Sequence, residues 1–378
     1  SSTGVQDHKS NSIVNSATVA GLQDGGACYD FDGTNDSVSF TTPAPFSGNG
    51  LNSFDATLSA WAKFNSIGQF EAIVCLGTFD FEIAPLNSNN NEVGIYINDA
   101  AWTGDNFTPT VGEWNHYVAT KDGNTYSLYV NGVLIGTATD ADNGTVAATS
   151  YVGRNGSTSY FDGQIRDVKI FPSALTAGDV RKLYSGENPK KNTNAPAFSD
   201  LNGEDWSGAS GGTAPTGWTE GSDGTFSVTA SELTITRNAN NPYIFKNHTV
   251  TSGDVYKISY RLKNVNATHI RVGLGYSQGA TQLGVTDHTS TSYATYEKIV
   301  TVDSSTLSVL IQVSTSTAGQ NALIDFLRIE FVGTLVDFNP RSASSSTWRN
   351  EAIPSFYHGT VNNATLSAGY THHSPTHL

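Results

Sequence analysis

The sequence contains no methionine, only two cysteines and no cluster of basic residues. Two thiols, Cys28 and Cys75, do not make a disulfide framework, so the fold must hold by burial and backbone pairing, with both thiols unpaired and partly buried. Cysteine-rich zinc spacings, HExxH, a Walker loop and a dinucleotide fingerprint are all absent. Lys and Arg number 20 against 34 Asp and Glu, a formal net charge of -14 with a pI near 4.9. A phosphate backbone is held by clustered cations, so a nucleic-acid partner is excluded, and the acidity reads as a device for solubility. No apolar run approaches the roughly 18 residues of a membrane-spanning helix. No signal-peptide pattern opens the chain, and a soluble protein without membrane insertion is expected. The missing methionine leads to the expectation that residue 1 is not the initiator of an intact product, but follows processing or belongs to a fragment.

What is present is glycine, threonine, serine, asparagine and aromatics, in a chain of 378 residues that exceeds the usual single-domain size. With 37% hydrophobic and 14% charged residues, the composition suits many short strands joined by turns. "ACYDFDGTNDSVSF" (27–40) is a strand, an Asp32-Gly33 turn and a second strand. "EWNHYVATKDGNTYSLYVNGVLIGTATD" (113–140) holds hairpin signals at Asp122-Gly123 and Asn131-Gly132. "YFDGQIRDVKIFPSALTAGDVRKLYSG" (160–186) turns, runs through an imperfectly alternating strand with Ile165, Val168 and Ile170, and stops at Pro172. A short helix follows, with Thr176 as N-cap, Val180, Leu183 and Tyr184 at helical spacing and Gly186 beyond its end.

These pieces, with "LSAWAKF" between them, resemble the laminin-G-like, concanavalin A-like lectin superfamily in kind and order. The resemblance implies a jelly-roll sandwich over residues 1–188 in which the first and last strands pair, bringing Asp32-Gly33 beside Asp162-Gly163. It also implies a structural calcium ion near Asp32, Asp36 and Asp162, with Asp167 a further candidate; the competing reading is that Asp-Gly pairs simply close turns.

Residues 189–197 are polar and Pro-bearing and read as a linker. Residues 198–333 give regularly spaced alternating runs, the pattern of a second sandwich, so the expected fold class is all-β with two tandem β-sandwiches. The order "FSDLNGEDWSG", "PTGWT" and "ALIDFLRIEF" is similar to carbohydrate-binding modules, which grip sugars with aromatic faces and planar polar groups. That resemblance nominates Trp206, Trp218, Tyr243, Tyr260 and Tyr276 as platforms and Asn241 and Arg271 as polar partners, against the plainer role of core or turn residues.

Residues 334–378 show no sustained periodicity and read as an irregular C-terminal extension. "GTVNNATLSAG" echoes "SIVNSATVAG" at 12–21, as the lead-in of another domain or a segment that pairs with a neighbour's sheet edge would. This tail resembles bacteriophage tail-fibre and other virion proteins. The resemblance implies a virion-surface protein, structural or adhesive toward host-surface glycans, touching other virion proteins and forming a homo-oligomer, a trimer being favoured. The alternative is a secreted, extracellular calcium-dependent glycan-binding protein or an enzyme's accessory module. His372, His373 and His377 are metal-ligand types, but a mobile terminal segment is the commoner explanation. Catalysis is not expected: "GYSQG" at 275–279 lacks the following helix that a nucleophile elbow needs, and Glu71, Glu82, Glu92 and Glu113 are scattered.

Overall fold

The computed structural model describes all residues except 1–27, 68–70, 79, 86–91, 99, 102–104, 157–158, 187–205, 222–223, 278–280, 339–342, 354–355 and 368–378. The linker at 189–197 and the three terminal histidines lie outside the described residues. The chain divides into two compact units, Ser1–Lys190 with Gly333–Leu378, and Lys191–Val332.

In chain order the first unit contributes β1 (Cys28–Asp32), β2 (Ser37–Thr41), β3 (Ala56–Phe64), β4 (Val74–Leu76), β5 (Phe81–Pro85), β6 (Val93–Ile97), β7 (Ala100–Ala101), β8 (Asn115–Asp122), β9 (Thr125–Val130), β10 (Val133–Thr139), β11 (Thr149–Val152), β12 (Asp162–Phe171) and helix α1 (Ala177–Tyr184). The second unit follows with β13 (Ser210–Gly211), β14 (Thr219–Glu220), β15 (Gly224–Thr229), β16 (Glu232–Arg237), β17 (Tyr243–Thr249), β18 (Val255–Asn264), β19 (His269–Gly275), β20 (Gly284–His288), β21 (Ala294–Thr301), β22 (Thr306–Ser314) and β23 (Asn321–Phe331). Four short strands close the chain: β24 (Val336–Phe338), β25 (Thr347–Trp348), β26 (Gly359–Asn362) and β27 (Thr365–Ser367).

The first unit is built from two antiparallel sheets. One runs β10-β9-β8-β3-β12-β1-β27 with β24 also on β12; the other runs β25-β26-β2-β11-β4-β5-β6-β7. Their inner faces meet through Phe81 against Tyr126 and Phe40 against Phe338. The hairpins form where the sequence places them. Asn131 and Gly132 both take positive φ, +51° and +79°, the backbone that a tight two-residue turn requires. β1 pairs with β12 in the register Asp32↔Asp162, as the resemblance implies. The imperfect alternation in β12 has a cause: the pairing with β3 shifts between Arg166 and Lys169, with Asp167 at φ +50°. The extra residue lets Ile165, Val168 and Ile170 all be buried. In α1 the Thr176 hydroxyl accepts from Asp179 N, and Val180 and Leu183 pack on Val118, Tyr129 and Phe171. Both cysteines are buried, and neither forms a disulfide.

The second unit stacks a six-stranded sheet, β13-β15-β16-β23-β18-β21, on a five-stranded one, β14-β17-β22-β19-β20. Phe226, Ile235, Ile258 and Ile324 from the first meet Ile244, Val272, Val309 and Ile311 from the second in one core.

Residues 334–378 differ from the expected irregular extension. β24 pairs with β12, β26 with β2 and β27 with β1, so the described part of this segment joins both sheets of its own first unit. The strands span only two to four residues each, too short for a visible period. Asn350 anchors the segment: its Nδ2 donates to the carbonyls of Leu335 (2.8 Å) and Phe356 (3.1 Å), and its Oδ1 accepts from the N–H groups of Asp337 (2.9 Å) and Ala352 (3.0 Å). Trp348 is fully buried, 4.7 Å from Tyr29 and 5.3 Å from Phe338 between ring centroids.

Trp348→Ala is therefore expected to destabilise the first unit by about 3–5 kcal/mol, and Asn350→Ala by about 1–3 kcal/mol. Calorimetry should show the first unit's transition falling while the second unit's stays in place. Equal shifts of both, or none, would contradict this assignment of the C-terminal strands.

Candidate functional site

The four candidate calcium ligands are only partly gathered. Asp32 and Asp162 are register partners, and Asp36 follows on the same corner. Their oxygens are engaged in closing that corner. Asp32 Oδ1 accepts from the N–H groups of Thr34 (2.8 Å) and Asn35 (3.4 Å), and Asp36 Oδ2 from that of Asp32 (2.9 Å). Asp162 accepts from Asn65 Nδ2 (3.2 Å) and Ser66 Oγ (2.5 Å). Burial holds the Asp36 carboxyl above its ordinary range. Asp167 stands apart in the β12 bulge, buried, with Arg166 Nη1 at 3.3 Å. Among the described residues no group of three or more His, Cys, Asp or Glu is arranged to hold a metal ion. Calcium takes six to eight oxygens, and the hydrogen bonds these carboxylates make here close the corner.

The nominated sugar platforms separate into two groups. Trp206 and Trp218 are core residues with ring centroids 5.5 Å apart, and Trp206 Nε1 donates to the Asp325 carbonyl at 3.0 Å. Tyr260 is buried as well, its hydroxyl 3.0 Å from His288 Nε2. Tyr276 is half-buried and its hydroxyl accepts from Asp303 N at 3.2 Å. Asn241 is exposed, with Oδ1 accepting from Thr315 N at 3.0 Å.

Tyr243 and Arg271, by contrast, belong to one row. Tyr243 pairs with Gln312, Gln312 with Arg271 and Arg271 with Asp287, across β17, β22, β19 and β20. Residues directly opposite one another share a face, and the alternate residues Ile244, Ile311 and Val272 are in the core, so this row faces outward. Tyr243 lies against Gly221, where any side chain would overlap its ring. Arg271 holds Asp287 in a two-pronged pair, Nε to Oδ1 at 2.7 Å and Nη2 to Oδ2 at 2.8 Å. That pair draws the Asp287 carboxyl below its usual range and raises Arg271. His269 Nε2 stands 3.5 Å from Asp287 Oδ2. The neighbouring rung is apolar, Phe245, Leu310, Gly273 and Val285, of which Val285 is 48% exposed. The face therefore joins an aromatic ring, planar hydrogen-bonding groups and the exposed Val285, with one cation balanced by one carboxylate. Gln312, Asp287 and His269 were not singled out from the sequence. The alternation of "TLSVLIQVS" marks Gln312 as outward, but strand neighbours three (β19, β22) or five (β17, β22) elements apart carry no local signal.

On the outer face of the first unit's β1-containing sheet, Arg166 is fully buried with its guanidinium 5.1 Å from the Trp61 ring and 5.0 Å from Trp114. His116 lies on the same rung as Trp61, its Nε2 2.9 Å from Ser59 Oγ and its ring stacked near Tyr184 of α1. Burial pushes this imidazole from 6.5 down to about 3, with Lys169 and Arg166 acting in the same direction. Ser277 of the "GYSQG" stretch is exposed, and the next element is strand β20 rather than a helix.

Residues 32–181 match the family model described as the Concanavalin A-like lectin/glucanases superfamily. No curated protein matches the chain. Among solved structures, the chain is similar to domain 4 of AbnA, a GH43 extracellular arabinanase from Geobacillus stearothermophilus in complex with arabinotriose. The identity is 19%, over 37% of this chain and 68% of that one, with a TM-score of 0.29. The CBM22-1 xylan-binding domain from Paenibacillus barcinonensis Xyn10C also shares 19% identity, over 33% of this chain and 92% of that one, at a TM-score of 0.26. TmCBM61 in complex with β-1,4-galactotriose shares 9% over 31% and 89%, at 0.25. At these scores none of them assigns a ligand to this chain.

The His116 shift has a sign. The unfolded chain takes up a proton near pH 6.5 and the folded one only near 3, so the stabilisation is complete above pH 6.5 and is lost as pH falls through that window. The slope is at most about 1.4 kcal/mol per pH unit. His116→Phe is expected to flatten the first unit's stability between pH 6.5 and 4, read from urea melts. An unchanged slope would show that other groups carry it.

Proposed function

We propose that this chain is a non-catalytic glycan-binding protein whose second unit receives a sugar chain along Tyr243, Gln312, Arg271 and Asp287. The observation that carries this reading is the row itself. Four side chains from four neighbouring strands span about 14 Å at the usual strand spacing, longer than a single sugar ring. Tyr243 offers a stacking face, Gln312 and the Arg271–Asp287 pair offer donors and acceptors in fixed orientation, and exposed Val285 receives a C–H face.

The setting we favour is the surface of a bacteriophage particle, as decoration or as an adhesin for host-surface glycans, supported by the resemblance of the C-terminal segment to virion proteins. Contacts with other virion proteins and a homotrimer belong to that reading. A secreted bacterial glycan-binding protein or enzyme accessory module is the second reading. It is favoured by one observation: β26 and β27 pair with β2 and β1 of their own unit. Light scattering on the full chain separates them, a trimer supporting the virion and a monomer the secreted protein.

Tyr243→Ala and Arg271→Ala are each expected to weaken retention by soluble neutral polysaccharides about tenfold, with the melting temperature nearly unchanged and with the same result in calcium or a chelator. Trp206→Ala should instead destabilise the second unit by about 3–5 kcal/mol. Retention that survives both surface substitutions would place the ligand elsewhere.

A further inference from the structure

The outer face of the first unit carries a row of the same composition as the second unit's. Asp30 on β1 pairs with Gln164 on β12, Gln164 pairs with Lys63 on β3, and Lys63 Nζ lies 5.7 Å from the ring centroid of Trp114, the residue leading into β8. In both rows four neighbouring positions supply an aromatic ring, a glutamine, a cation and an aspartate. Here the order is Asp, Gln, Lys, Trp; in the second unit it is Tyr, Gln, Arg, Asp. All four side chains of the first-unit row are half-buried, and the alternate residues Tyr29, Ile165 and Ala62 are fully buried.

We infer that Asp30, Gln164, Lys63 and Trp114 form a second binding platform, for a neutral glycan. The row is held before any ligand arrives. Arg166, buried on the next rung of the same face, places its guanidinium 5.0 Å from the Trp114 ring, and Gln164 Nε2 donates to Asp30 Oδ1. A fixed indole and a fixed amide lose little freedom on binding, which is where affinity for a weakly interacting sugar is gained. The Lys63 ammonium and the Asp30 carboxylate cancel, as Arg271 and Asp287 do, so neither row selects a charged sugar. The net charge of -14 disfavours polyanions in general. The inference rests on the reading that the chain binds glycans, and it adds a second, independent place. Two platforms on one chain raise avidity for a polysaccharide without any new contact.

The test is affinity electrophoresis of the full chain through gels containing xylan, arabinan, galactan or a neutral β-glucan, with circular dichroism melts as the folding check. Gln164→Ala and Trp114→Ala are each expected to weaken retardation about three- to tenfold, whether residue 243 is Tyr or Ala. Trp114→Ala with Tyr243→Ala should weaken it by roughly the product of the two single effects. If Trp114→Ala melts the first unit by freeing Arg166, the half-buried Gln164→Ala carries the test. Unchanged retardation of folded Gln164→Ala in the Tyr243→Ala background would overturn the second platform and leave the first standing. Retardation lost with Gln164→Ala but kept with Tyr243→Ala would do the reverse. No retardation of the unaltered protein by any of the four would overturn both.

Discussion

The pairing of the last described strands with the first ones is the interaction on which the first unit depends. β26 and β27 lie alongside β2 and β1, passing with them from one sheet to the other. Asn362 Nδ2 donates to the hydroxyls of Ser37 (3.4 Å) and Ser39 (3.2 Å), and Asn363 Nδ2 to Asn35 Oδ1 (2.9 Å), so the corner is tied by side chains as well as by backbone. A sheet edge offers a template to other chains; here the protein's own terminus extends both sheets, so the edges on that side are the short strands β25 and β27. The whole second unit stands in the sequence between α1 and β24. Closing a chain over so long an insert costs little more than over a short one, because loop-closure entropy grows only logarithmically.

The charges on β12 follow from the same arrangement. Lys169 pairs in register with Asp337 on β24, Nζ to Oδ1 at 2.6 Å, and Asp337 with Asp167 and Glu351 keeps this ammonium charged against its burial. Burial raises the Asp167 carboxyl, while Arg166 and Lys169 oppose that rise. Such pairs add less to stability than their distances imply, since desolvation offsets much of the attraction. What they define is register: the charges meet only when β24 sits where it does.

Strand periodicity assigns faces, and faces explain both binding rows. A residue two places along a strand returns to the same side, so Arg271, Gln312 and Tyr243 are outward because Val272, Ile311 and Ile244 are inward. The same reasoning turns Tyr260 of β18 inward, while Trp206 and Trp218, outside the strands, are buried in the same core.

Much of this was readable from local pattern. The hairpins at Asp122-Gly123 and Asn131-Gly132, the Thr176 cap, the Gly186 stop and the alternating strands are short-range signals, since turns and caps are decided by a few adjacent residues. The all-β class follows from the same signals. What the sequence alone determined is therefore which segments extend, where they turn and which side chains share a face. Which strands become neighbours was decided by tertiary structure: the β12 bulge, the return of residues 336–367 to β1, β2 and β12, and the meeting of Gln312 with Arg271 and Tyr243. Those contacts join residues tens to hundreds of positions apart. They are selected by burial and backbone pairing over the whole sandwich, a choice that no local stretch contains.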